Sequence, residues 1–259
     1  MFLTSLVTVS SAGFALVGCA RATASPGTGP TGKSVSGHDD KDRDDRPDDK
    51  DRQGDKQGDR QGDKDEADEV TPAEDLMREH GVLRRVMYLY DDAADRLTGR
   101  RDLPLDALGA CAGIVRRVIE DYHEKLEEDF LFPRFEKAGK LADLTAVLRR
   151  QHVAGRTLTA QITQLTRAPL ADADRARLAA ALRSFNHMYR PHAAREDTVL
   201  FPELRGLVGK RAYEELGDQF EDKEKQMLGD HGFEHAVEEV AKLEQAFGLD
   251  DLAKLTPAP

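Results

Sequence analysis

Apolar residues recur at helical spacing from Thr71 onward. The first run puts Leu76, His80, Leu83, Met87, Tyr90 and Ala94 along one face, the three-and-four pattern of an amphipathic helix. Thr71 at the cap, Pro72 at the first helical position and Glu74 three residues after the cap predict its start, because cap and third residue can satisfy each other's free backbone groups. Gly99 predicts its end. A second helix starts near Pro104, with Leu108, Ala112, Val115, Ile119, His123, Leu126 and Phe130 inward. It should break at Phe132-Pro133, since proline disfavours helix in the residue before it. A third helix covers 140–167, with Leu141, Leu144, Leu148, His152, Thr159 and Ile162 inward. A fourth covers 171–201, with Leu178, Ala181, Phe185, Met188, His192, Glu196 and Val199 inward, and ends at Phe201-Pro202. Pro191 within it removes one helix hydrogen bond and should kink it. A fifth helical region, 211–247, is interrupted by Gly229-Asp230-His231-Gly232.

Amphipathic helices joined by short connections predict an all-α, up-down antiparallel four-helix bundle over residues 71–208, with a C-terminal helical extension over 209–259. The bundle is also internally duplicated. The stretch from His123-Glu124 to Leu131-Phe132-Pro133 parallels the one from His192-Ala193 to Leu200-Phe201-Pro202, so the first two helices correspond to the last two.

Upstream of Thr71 this pattern fails. Residues 2–18 are small and apolar, without a charge, and the run is short for a spanning helix, which needs about 20 apolar residues. It reads as a signal peptide, residues 1–18, although no Lys or Arg precedes it. Leu16-Val17-Gly18-Cys19 resembles a bacterial lipoprotein cleavage box, in which Cys19 would carry the lipid. The expectation is an exported lipoprotein that meets a membrane only through that anchor; without export the chain would be cytoplasmic. Residues 19–70 form a linker, expected to be disordered. Within it 39–69 hold eight basic and fifteen acidic residues, -7 of the chain's net charge of -11. Too little of this can be buried to offset the entropy of ordering it. The repeated Gln-Gly-Asp around Asp55, Asp59 and Asp63 lacks the bidentate Glu of a calcium loop.

Composition narrows the chemistry. Charged residues make up 34% and hydrophobic ones 39%, without a Trp, which suits a helical protein with a polar tail. The negative balance excludes nucleic acid as a partner on charge grounds; nothing in the sequence indicates protein partners. Cys111 shares the apolar register of Leu108, Val115 and Ile119 and reads as a buried structural thiol.

Four of the eight histidines, His80, His123, His152 and His192, fall one per helix on the inward faces. Glu127 and Glu196 follow His123 and His192 by four residues, about one helical turn, so each pair stacks on one stripe. Six such groups in a dry core would be costly unpaired. A pair of metal ions removes that cost: His80 with His123 on one, His152 with His192 on the other, and Glu127 and Glu196 between them, with the ions about 3.5–4 Å apart. Imidazole with carboxylate suits iron, manganese or zinc. His187 lies off the inward face, His38 is in the linker, and His231 and His235 read as an exposed helix start or an additional metal site.

The order His80, His123-x-x-x-Glu127, His152, His192-x-x-x-Glu196, with Leu-Phe-Pro after each His–Glu pair, resembles the hemerythrin/HHE cation-binding family over residues 73–204. The segment from Gly232-Phe233-Glu234 through Leu252 resembles a bacterial subgroup of that family with an extra C-terminal helix. The resemblance implies a hemerythrin-like bundle and a non-haem centre of two iron ions that binds dioxygen, peroxide or another small diatomic, or stores or senses iron. A peroxide-consuming or oxidase enzyme is the alternative, and a zinc-filled structural bundle a third. Oxygen carriers of the family have a second histidine four residues from the one in the third helix; Leu148 and Arg156 hold those positions here. Glu124 resembles an additional carboxylate ligand of an iron-sensing member, or else lies at the helix edge.

Overall fold

A computed structural model describes residues 70–167 and 169–257. The apolar leader, Cys19 with its expected lipid, His38 and the linker through Glu69 lie outside the described residues.

Helix α1 spans Pro72–Thr98. Its start is the capping box read from the sequence: Thr71 Oγ1 accepts from the Glu74 backbone N–H, and Glu74 Oε2 accepts from the Thr71 N–H at 3.1 Å. Helix α2 is one continuous rod beginning with Leu105–Ile114 and ending with Phe132–Ala138. Between these it passes through wider π-helical turns at Val115–His123 and Glu127–Leu131. Helix α3 spans Ala142–Thr166. Helix α4 runs from Asp172–Arg195 through a π-helical turn at Glu196–Leu200 into Phe201–Val208. Helices α5, Lys210–Leu228, and α6, Gly232–Phe247, follow, then a short 3₁₀ turn at Leu252–Leu255. The described residues contain no strand, and no helix among them is long and apolar enough to cross a membrane.

Helices α1 to α4 close into the predicted four-helix bundle, in which α1 packs on α2 and α4, and α3 on α2 and α4. Helices α5 and α6 lie over its α1–α2 face. Arg85 of α1 holds α6 there by a two-pronged bond to Glu244 at 2.8 and 2.6 Å.

Two expectations are corrected. Neither Phe-Pro pair ends its helix: α2 continues to Ala138 and α4 to Val208. A π-helical turn precedes each proline, shown by Phe132 N–H bonding to the Glu127 carbonyl and Phe201 N–H to the Glu196 carbonyl, five residues back. The wider turn leaves room for the ring that a normal α-turn would crowd. The same turns shift the register by one residue. Phe130 and Val199 are only half-buried, whereas Leu131 and Leu200 are fully buried. Helix α4 continues through Pro191, which lies on its exposed side.

The core has two apolar parts. One contains Val86, Tyr90, Leu108, Val115, Leu182 and Phe185 with Val240 of α6. The other contains Leu76, Leu126, Phe132, Leu148, Phe201 and Leu204 with Leu216 and Phe220 of α5. Buried polar residues sit along the helices between these two stretches.

Candidate metal centre

Each bundle helix delivers its histidine to that polar layer. His80, His123, His152 and His192 are 0–3% exposed, and Glu127 and Glu196 are fully buried. Rings pair as the sequence pairs them, with centroids 4.6 Å apart for His80–His123 and 5.0 Å for His152–His192. Phe201 stacks on His80 and Phe132 on His152, both at 5.6 Å, so the Leu-Phe-Pro segments supply the walls of the site.

The two glutamates lie between the histidine pairs. Glu127 Oε1 is 3.8 Å from His123 Nε2, and its Oε2 is 3.4 Å from His152 Nε2. Glu196 Oε2 is 3.4 Å from His80 Nε2 and 3.1 Å from His192 Nε2. Ligand atoms of Glu127, His152, His192 and Glu196 lie within 4.8 Å of one another, spacing that can hold a metal ion. Both oxygens of Glu127, both of Glu196, and Nε2 of His123 and of His152 are buried without a hydrogen-bond partner among the described residues. Buried polar atoms are normally partnered, and a cluster of orphaned donors sharing one space fits a cation of the imidazole–carboxylate class.

The other ring nitrogens explain the orientation. Nδ1 of His80 bonds Asp197 Oδ1 at 2.7 Å, Nδ1 of His123 bonds Glu79 Oε2 at 2.5 Å, Nδ1 of His152 bonds Glu128 Oε1 at 3.0 Å, and Nδ1 of His192 bonds Gln151 Oε1 at 2.9 Å. An Nδ1–H so engaged leaves Nε2 as the free lone pair, aimed inward. Glu79, Glu128, Gln151 and Asp197 were not singled out from the sequence. Each is the chain neighbour of a singled-out residue: Glu79 precedes His80, Gln151 precedes His152, Glu128 follows Glu127, and Asp197 follows Glu196.

The electrostatics describe a pocket short of positive charge. Burial pushes Glu127 up, and the Glu196 charge adds to that. Burial acts the same way on Glu196, but the nearby His192 and His80 outweigh it and hold that carboxyl low. Burial disfavours the charged forms of His80 and His152, yet Asp197 and Glu196 beside the first raise it to about 9, and Glu127 and Glu128 beside the second raise it to about 10. Burial depresses His123 to about 4.

Glu124 is buried beside His152, and Glu124, Glu128 and His152 also bring ligand atoms within 4.8 Å of one another. Its oxygens are already engaged: Tyr189 donates its hydroxyl to Oε1 at 2.6 Å, and Arg156 Nη2 lies 2.9 Å from Oε2. Burial raises Glu124 to about 8. Gly155 lets the Tyr189 ring lie against α3, since a Cβ there would stand 2.6 Å from Tyr189 Cζ. The two positions four residues from His152 do other work here: Leu148 joins the apolar core, and Arg156 reaches across Glu124 and Glu128. His187, His231 and His235 are exposed, the last two at the start of α6. Cys111 is buried, and burial pushes its thiol up to about 12.

Comparison with known proteins agrees with this arrangement. The family model described as hemerythrin HHE cation binding domain matches residues 71–204. Uncharacterized protein Rv1995 of Mycobacterium tuberculosis and uncharacterized protein Mb2018 of Mycobacterium bovis are each 44% identical to this chain over 191 residues, covering 73% of it and 75% of the relative. No solved structure matches the chain.

Proposed function

Because this chain belongs to the hemerythrin HHE cation-binding family, we propose that it is a non-haem di-iron protein that binds dioxygen or a related small oxidant. His80 and His123 would hold one ion and His152 and His192 the other, with Glu127 and Glu196 spanning the two. The observation that carries this reading is the set of buried, unpartnered oxygens and Nε2 atoms of Glu127, Glu196, His123 and His152. Iron so held supplies the reversible electron transfer that small oxidants need.

The chain's own residues do the rest. Asp197, Glu79, Glu128 and Gln151 hold the four rings by Nδ1, which keeps the inward lone pairs fixed. Phe132 and Phe201 cover two of the rings and keep water from them. Tyr189, with its hydroxyl on Glu124 and its ring 5.3 Å from that of His192, keeps a proton close to the site. Arg156 balances Glu124 and Glu128.

The test is elemental analysis and visible spectroscopy of protein loaded with iron(II) without oxygen. Two irons per chain and a new visible band on adding oxygen or peroxide are expected. One ion or none refutes the dinuclear reading. Two zinc ions with no response to oxidant would mean a structural bundle, and sustained peroxide consumption would mean an enzyme. Glu127→Ala and Glu196→Ala should each reduce both ions together, because each carboxylate faces both histidine pairs.

A further inference from the structure

The duplication relates the two halves of the site almost residue for residue. Glu79-His80 corresponds to Gln151-His152, and His123 with Glu127-Glu128 corresponds to His192 with Glu196-Asp197. The Nδ1 bonds follow the same relation: His80 and His152 each reach the acid after the other half's spanning glutamate, while His123 and His192 each reach the residue before their own half's first histidine. One place breaks it. Where Glu79 offers His123 a carboxylate, Gln151 offers His192 an amide oxygen.

The distances sort the same way. The bonds behind His80 and His123 are 2.7 and 2.5 Å, and those behind His152 and His192 are 3.0 and 2.9 Å. Cations divide them further. The Glu128 oxygen that faces His152 is itself 2.8 Å from Arg156 Nη2, so its charge is shared. Asp197 instead meets Arg84 with Oδ2 and keeps Oδ1 for His80. A carboxylate behind an imidazole makes its free nitrogen a stronger donor, and such partners are worth about 10–100-fold in metal affinity. An amide oxygen fixes the ring without adding charge.

From this we infer that the two metal positions are unequal: the His80–His123 position fills first and holds tightly, the His152–His192 position fills second and exchanges, and Gln151 sets the difference. The inference rests on the di-metal reading above. It makes Gln151 a positioning residue whose uncharged oxygen leaves one ion loosely held, on the side where Tyr189 and Glu124 lie.

The experiment is an oxygen-free titration of the metal-free full chain with iron(II) against a competing chelator, with bound iron counted at each point. Two binding steps about 10–100-fold apart are expected. Gln151→Glu should tighten the second step about tenfold and leave the first in place. Glu79→Gln should weaken the first step by a similar factor and bring the two together; it carries the test if the added acid in Gln151→Glu prevents folding. Two ions bound in equal steps overturn this inference alone, as do variants that bind two ions with unchanged steps. Binding of one ion or none overturns the di-metal reading and this inference with it.

Discussion

Gly155→Ala is the sharpest test of how the polar layer is built. In a helix interior, replacing Gly by Ala normally stabilises by about 1 kcal/mol. At Gly155 the new methyl would stand 2.6 and 2.8 Å from Tyr189 Cζ and Cε2, and closer still to the hydroxyl. Tyr189 is 1% exposed and its ring packs on Phe185 at 4.3 Å, so it has little room to retreat. Overpacking of this kind costs about 1–3 kcal/mol. If the ring moves, the 2.6 Å bond to Glu124 is lost, and a buried group left without its partner costs about 1–3 kcal/mol more. Set against the propensity gain, the net loss is about 3 kcal/mol. For a domain of this size that is a fall of about 6–12 °C in Tm. Gly113→Ala is the control: its Cβ meets nothing within 4 Å and the position is exposed, so that variant should match or slightly exceed the wild type. Thermal unfolding of both variants, metal-free, gives the answer. A Gly155→Ala protein as stable as Gly113→Ala would show that Tyr189 does not lie on α3 at this point.

Asp75→Asn should stabilise the protein in a pH-dependent way. Burial, with Glu79 next, raises Asp75 to about 7, so the native state pays nothing below pH 4, loses stability as pH rises from about 4 to 7, and stays depressed above; urea unfolding should give the variant about 1–2 kcal/mol at pH 8 and none at pH 4, a window set by linkage. Arg85→Lys should loosen α6, because one ammonium cannot replace the two-pronged bond to Glu244; a cost of about 1 kcal/mol, with faster amide exchange in α6 than in α1, is expected, and unchanged exchange would count against that bond. Phe220→Ala, which empties a fully buried site where α5 meets the bundle, should cost about 3–5 kcal/mol by chemical denaturation.

The hydrophobic period of the chain alone determines the helical bundle, because an apolar stripe repeating every three and four residues has to be buried against its like. The capping box at Thr71 and the inward placement of His80, His123, His152, His192, Glu127 and Glu196 are local consequences of the same spacing, and both are legible without a structure. The extra residue of each π-helical turn is not. It moves Leu131 and Leu200 into the core in place of Phe130 and Val199, and an even helical period has no means of announcing it. The partners of the four imidazoles are hidden for another reason. Glu79, Glu128, Gln151 and Asp197 are ordinary polar residues beside the histidines and glutamates, and all four bonds they make join different helices. Which helix faces which, and at what height, is fixed by packing across the bundle, so only the tertiary structure decides that Arg156 guards two carboxylates and that Gln151 stands where its counterpart is an acid.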